Sequence, residues 1–181
     1  YFVEGGTQKI CNALLYSKAI IHKTEKPEVA KPLLRAGTYW PGIGICEILD
    51  LQKNWIPNAP VVPIIFYRAL LQGGGLNPIN RLVKTMLRYG LNPMPIFVTS
   101  LKDPISAATL KYLFTKNKPE IILNCTSFSI NTPNQLGSSQ NEINPLTMSE
   151  TQNAMVFQLV LSSSSEEIWR TGTNGLSGRD I

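Results

Sequence analysis

The chain has 181 residues, a formal net charge of +5 at pH 7 and a pI near 9.2. That length fits one domain with room for a small attached unit, and 43% hydrophobic residues suffice for a buried core and exclude a generally disordered chain. No apolar run approaches the roughly 20 residues that span a bilayer, so a membrane-spanning helix is not expected, nor is a secretory leader.

The first expected element is a helix from Thr7 to Ile21. Ile10, Leu14 and Ile21 fall at helical spacing with Cys11 and Leu15 beside them, and Gly5, Gly6 and Thr7 form the entry with Thr7 as cap. A charged, proline-containing linker runs from Lys23 to Pro32. The stretch LLRAGTYWPG, Leu33 to Gly42, reads as an extended segment ending in a Pro41-Gly42 turn, and CEILDLQKNW, Cys46 to Trp55, as a short helix. The lone His22 reads as an exposed helix-end residue. Residues 1–60 are thus expected to form an N-terminal helix and extended linker segment, and 61–181 an α/β domain.

From Val61 onward strands and helices alternate. VVPIIFY, Val61 to Tyr67, is a continuous apolar run of the kind buried on both faces of a parallel sheet. Ile79, Leu82, Val83, Met86 and Leu87 repeat as an amphipathic helix, with Asn77 as cap, Pro78 in the first turn and Gly90 at the end. MPIFVTS, Met94 to Ser100, is the next strand. Asp103 and Pro104 open a second helix running to about Thr115. EIILNCT, Glu120 to Thr126, is a third strand, and AMVFQLVL, Ala154 to Leu161, a fourth, after an Asn/Ser-rich loop from Ser129 to about Gln152. Ser165, Glu166 and Glu167 start a last helix, with acids where the macrodipole favours them. The expected fold is α/β, a doubly wound, mostly parallel sheet of flavodoxin-like type with an N-terminal helical and extended attachment.

Gly73, Gly74 and Gly75 raise the question of a phosphate loop. Gly75 is followed by Leu76, Asn77 and Pro78, with no lysine or hydroxyl where a Walker loop needs them. The spacing also fails the dinucleotide fingerprint. The glycines are therefore read either as a flexible approach to a helix N-terminus or as a backbone that must come close to a bulky ligand or another domain.

Charge and thiols narrow the chemistry further. From Val61 to Lys118 the basic residues Arg68, Arg81, Lys84, Arg88, Lys102, Lys111, Lys116 and Lys118 are opposed by Asp103 alone, a concentration that can attract an anionic partner, although most of the lysines are expected on solvated helix faces. No arginine-rich run or aromatic ladder points to nucleic acid. Cys11, Cys46 and Cys125 lie far apart and form no metal motif or disulfide framework, which fits free thiols in a reducing cytoplasm.

Several blocks together resemble a known family. YFVEGG, AGTYWPG, VVPIIFYRALLQGGGLNPI, GLNPMPIFVTSLKDPISAATL, IILNCTSFS and LVLSSSSEEIWRTGTNGLSGRD are similar, in the same order, to the cobaltochelatase and magnesium chelatase large-subunit family, and more to its cobalt branch. The chain departs from the family pattern at Ser162–Ser165 and in the Asn-rich stretch from Asn131 to Asn144. Beginning with Tyr1, it reads as an N-terminal-side piece of a much longer subunit. The resemblance implies a nitrogen–metal ligase of the cytoplasm, which inserts Co²⁺ into the corrin ring hydrogenobyrinic acid a,c-diamide for cobalamin biosynthesis. It also implies AAA+ ATPase partner subunits that use ATP and Mg²⁺, with no cofactor bound by this segment. Its magnesium branch, inserting Mg²⁺ into protoporphyrin IX, is the alternative.

Ligands of open α/β sheets sit beyond the carboxyl ends of the strands. The residues expected there are Tyr67, Arg68, Ser100, Lys102, Thr126, Ser127, Ser162 and Ser163, joined by Gly73, Gly74 and Gly75. Arg68 and Lys102 suit the carboxylate side chains of a corrin; the competing role for Arg68 is an ion pair that holds two domains together. Tyr39 and Trp40 are expected to pack beneath the turn rather than stack on a macrocycle. No cluster of histidine, cysteine and carboxylates marks a catalytic or metal centre. A non-catalytic small-molecule-binding α/β module remains the rival class, whereas a receiver domain would need an aspartate where Thr126 and Ser127 stand.

Overall fold

The computed structural model describes residues 5–29, 31–126, 154–162 and 165–172. Ser127, Ser163 and the Asn/Ser-rich loop expected from Ser129 lie outside them. The elements are α1 (Thr7–His22), β1 (Ala36–Trp40), β2 (Gly44–Cys46), α2 (Ile48–Gln52), β3 (Val61–Tyr67), α3 (Arg68–Gly73), α4 (Asn77–Arg88), β4 (Asn92–Val98), α5 (Pro104–Asn117), β5 (Ile121–Asn124), β6 (Met155–Gln158) and α6 (Glu166–Thr171).

The strands form one sheet in the order β2-β1-β4-β3-β5-β6. β3, β4, β5 and β6 run parallel, and their order β4-β3-β5-β6 is the 2-1-3-4 order of flavodoxin-like sheets. The crossover from β3 to β4 runs one way across the sheet and that from β4 to β5 the other. Right-handed connections therefore put α4 and α5 on opposite faces, which is why both faces of β3 and β4 read as apolar. α4 contributes Ile79, Val83 and Met86 to the core; α5 contributes Leu110, Leu113 and Phe114.

β1 and β2 come from the section read as an attachment, yet they are strands of the same sheet. β1 lies antiparallel to β4, with Ala36 opposite Val98, Gly37 opposite Phe97 and Thr38 opposite Ile96. Pairing stops there for a reason visible in the chain. Asn92 donates its amide towards β3, to Pro60 O, so the odd-numbered residues of β4 turn their amide positions towards β1. Two of these are Pro93 and Pro95, which carry no N–H. The ladder ends where the donors end.

The core is centred on Phe66, Phe97 and Phe114, all fully buried. Tyr39 meets Phe66 edge-on at 6.1 Å and donates its hydroxyl to Asn80 Oδ1 of α4 at 2.9 Å. Trp40 is buried too, so both aromatics of the YWPG turn belong to the packing. Gly37 makes room for the ring opposite it: a Cβ there would stand 3.0 Å from Phe97 Cζ. Gly37→Ala is expected to lower unfolding free energy by about 1–2 kcal/mol through overpacking, measurable by denaturant titration.

Two local expectations are corrected. α1 starts after Gly6 at the cap position, φ 85°, rather than at a Thr7 cap. α4 begins at Asn77 itself, with Leu76 at the cap position and no side-chain cap, because Pro78 fits the second helical position as well as the first. Ile10, Leu14, Leu15 and Ile21 of α1 are exposed, and the buried side of that helix is Ala13 and Ala19.

Candidate functional site

The carboxyl ends of the parallel strands share one edge of the sheet, and the antiparallel β1 brings its amino end to the same edge. Tyr67 pairs with Val98, and Val98 with Ala36. Arg35, just ahead of Ala36, therefore stands beside the β4–α5 turn. This cation at the strand ends was missed in the sequence, since nothing local to LLRAG announces an antiparallel insertion.

Arg35 Nη2 is ion-paired with Asp103 Oδ1. Asp103 also caps α5: its Oδ2 accepts from the Ser106 amide and the Ser106 hydroxyl, both at 2.9 Å. Its side chain is 5% exposed, against 54% for Arg35. Burial alone would raise the Asp103 pKa. The Ser106 hydrogen bonds and the charges of Arg35 and Arg68 outweigh it, so the carboxyl lies below its ordinary value of 3.8.

Arg68 is the first residue of α3, immediately after β3. Its Nη1 donates to Leu33 O at 3.3 Å, tying the segment before β1 to the sheet edge. Ser100 and Lys102 lie in the β4–α5 turn, where the Lys102 amide donates to Ser100 Oγ at 3.2 Å. Thr99 Oγ1 donates to Arg35 O at 2.8 Å, closing the same corner. Two cations, Arg35 and Arg68, thus act on one buried carboxylate, and Lys102 precedes it in the same turn.

The far wall is β5 and β6. Thr126 is buried, and its hydroxyl donates to Asn124 Oδ1 at 2.8 Å. Asn124 Nδ2 donates to Gln158 Oε1 at 2.8 Å, and Gln158 Nε2 donates to Thr126 O at 2.5 Å. These polar groups hold the ends of two strands together. Ser162 follows β6 and is half-buried. Cys125 sits between, with its amide donated to Ile65 O, and burial pushes its thiol up to about 12. It stays protonated at neutral pH, so it presents a thiol rather than a thiolate. The Cys46 thiol is raised too, by burial and then by the nearby charges of Asp50 and Glu47.

The three glycines do not open a helix. They end one: α3 runs through Gly73, Gly74 takes the left-handed conformation at φ 73°, and the Gly74 and Gly75 amides both donate to Leu70 O. The short helix RALLQG was hidden because three glycines after a strand look like a helix entry. A Cβ at Gly73 or Gly74 would meet nothing within 4 Å, so only the backbone angle at Gly74 calls for glycine. The close approach lies at the other glycine pair. Gly6 donates its amide to Gln72 O at 2.9 Å, and a Cβ on Gly5 would stand 2.8 Å from that oxygen. Gly5 and Gly6 thus let the start of α1 dock on Gln72 near the end of α3.

Among the described residues, no group of three His, Cys, Asp or Glu side chains is placed to hold a metal ion, and no helix is long and apolar enough to cross a membrane. The edge carries a basic corner at the start of β1 and the ends of β3 and β4, and a polar wall at the ends of β5 and β6 across the β3/β5 switch in strand order. The fold is a doubly wound, mostly parallel α/β sheet. The chain belongs to the CobN/Magnesium Chelatase family, whose model matches residues 1–181. It is 36% identical over its whole length to a protein of Sinorhizobium sp named aerobic cobaltochelatase subunit CobN, and 28% identical over 82% of its length to the protein of that name from Pseudomonas aeruginosa. It spans 14% and 11% of those relatives' lengths. Among solved structures, the catalytic subunit of cobaltochelatase from Mycobacterium tuberculosis matches 98% of this chain and 14% of that one, with a TM-score of 0.66 at 14% identity, a likeness of fold.

Proposed function

We propose that this chain is a segment of the large subunit of an aerobic cobaltochelatase, and that it helps hold the corrin while Co²⁺ is inserted elsewhere in the subunit. The observation that carries this reading is the 36% identity along the entire chain to an aerobic cobaltochelatase subunit. The substrate proposed is hydrogenobyrinic acid a,c-diamide. ATP and Mg²⁺ are used by AAA+ partner subunits, in the cytoplasm, and the bond formed is nitrogen to metal. The segment's own part is binding: Arg35, Arg68 and Lys102 present cations to ring carboxylates, with hydroxyls of Ser100 and Thr126 at the same edge. Neither nucleic acid nor a lipid surface is a proposed partner. Magnesium insertion into protoporphyrin IX is the second reading, since the family description names both chelatases; the two named relatives favour cobalt.

Arg68 tests the binding role. One of its donors already serves Leu33 O, so only part of its capacity is available to a ligand. In the full-length subunit Arg68→Ala is expected to weaken corrin affinity about tenfold, or about 1.4 kcal/mol, in a spectroscopic titration. Arg68→Lys should recover only part of that, because the planar fork is lost. Lys116, near the end of α5 and at the opposite end of the sheet, is the control: Lys116→Ala should leave affinity unchanged. Unaltered affinity in a folded Arg68→Ala subunit would assign the residue to docking of the Leu33 segment alone.

A further inference from the structure

The sheet ends in two unlike edges. β2 is three residues long, opens on Gly44 at φ 90° and is followed at once by Glu47, features that blunt an edge against pairing. β6, four residues long, lacks the glycine and the flanking charge. The stretch AMVFQLVLS, residues 154–162, contains no charge, proline or glycine. Met155, Phe157 and Val160 are 60%, 48% and 48% exposed. Among the described strands β6 pairs with β5 alone.

Among the described residues, one side of the β6 backbone faces no other strand. Met155 and Leu159 donate their amides to Glu120 O and Asn124 O, on the β5 side. Peptide groups alternate along a parallel strand, so Val156, Gln158 and Val160 turn theirs outward. The Gln158 side chain is held back on Asn124 and Thr126, clear of that edge. Beyond it comes α6, capped by Ser165 Oγ, which accepts from the Ile168 amide at 3.3 Å. Every residue of α6 is exposed, including Ile168 and Trp169 at 63% and 54%. A strand followed by a helix is the first two-thirds of a βαβ unit. A right-handed crossover in this sheet, stepping outward from β5 to β6, places the next strand parallel at the free edge of β6.

We propose that the free edge of β6 is the docking edge for one further parallel strand, an uncharged apolar segment of the same subunit's polypeptide lying C-terminal to α6. α6 is then the crossover helix, and Ile168 and Trp169 close over that strand. Relatives of which this chain spans 14% have the length to supply it. With the strand in place, the Asn124–Gln158–Thr126 wall lies inside the sheet rather than at its rim. This holds whether or not the segment binds a corrin.

Hydrogen exchange on the full-length subunit tests it. The amides of Val156, Gln158 and Val160 are expected to exchange as slowly as those of β5, and Phe157→Lys to speed exchange at Val156 and Gln158 by about tenfold or more by opening the covered edge. Fast exchange of the three amides in the folded wild-type subunit overturns the proposal. So does a Phe157→Lys subunit whose exchange is unchanged. Protection that fades on dilution also overturns it, assigning the edge to a second copy of the chain.

Discussion

Asn92→Ala is expected to cost about 3–5 kcal/mol of unfolding free energy, the largest loss of any polar substitution described here. Asn92 is 2% exposed at the start of β4. Its Oδ1 accepts from the Ile56 amide at 2.7 Å, and its Nδ2 donates to Ile56 O and Ala59 O at 2.8 and 3.1 Å. One side chain thus satisfies three backbone groups of the 56–59 turn that leads into β3. Removing it strands those groups in a half-buried corner, and the cost of orphaned groups exceeds the modest net worth of the bonds. Asn92→Asp keeps the acceptor but points a charged oxygen at two carbonyls, so it should be no better tolerated. Urea denaturation of the folded subunit checks both; a loss below about 1 kcal/mol for Asn92→Ala would mean that water replaces the side chain there.

The second large effect is expected at Asp103. Asp103→Ala removes the α5 cap, worth about 1–2 kcal/mol, and the pair with the half-exposed Arg35, worth up to about 1 kcal/mol. Asp103→Asn separates the two, because asparagine caps well and carries no charge. The sign of the pH dependence follows from the depressed carboxyl. A group whose folded pKa lies below its unfolded value stabilises fully above that value, here 3.8, and loses its contribution as pH falls through the folded pKa. Wild-type stability should therefore fall more steeply below about pH 4 than that of Asp103→Asn. Parallel acid profiles for the two proteins would show that the ionised carboxyl, with its Ser106 bonds and arginine neighbours, adds nothing beyond what asparagine supplies.

The parallel strands were legible because burial on both faces leaves long apolar runs with turn signals between them, as in VVPIIFY and MPIFVTS. The Asp103 cap was legible for a similar reason: its partner, Ser106, is three residues away. Long-range partners leave no such trace. Arg35 reaches Asp103 across 68 positions, and Asn92 reaches Ile56 across 36. The AGTYW strand was legible as extended but not as part of the sheet, since a five-residue strand with a glycine that accommodates Phe97 has too little alternation to announce a face. α3 was lost because its six residues lie between a strand and three glycines, where end and beginning of a helix look alike.

The antiparallel insertion of β1 also sets an order of assembly. β1 and β2 can form their hairpin as soon as both are synthesised, since Trp40 and Gly44 face each other across a tight connection. Their place in the sheet, however, is against β4, which is made later and is itself aligned by β3. The hairpin must wait, with Tyr39 and Trp40 uncovered, until the β3–β4 pair closes. Contacts between distant segments form slowly because loop closure precedes any gain from burial. A slow folding phase reported by Trp40 fluorescence, and a window in which chaperones or self-association compete for that hairpin, follow from where one short strand is placed.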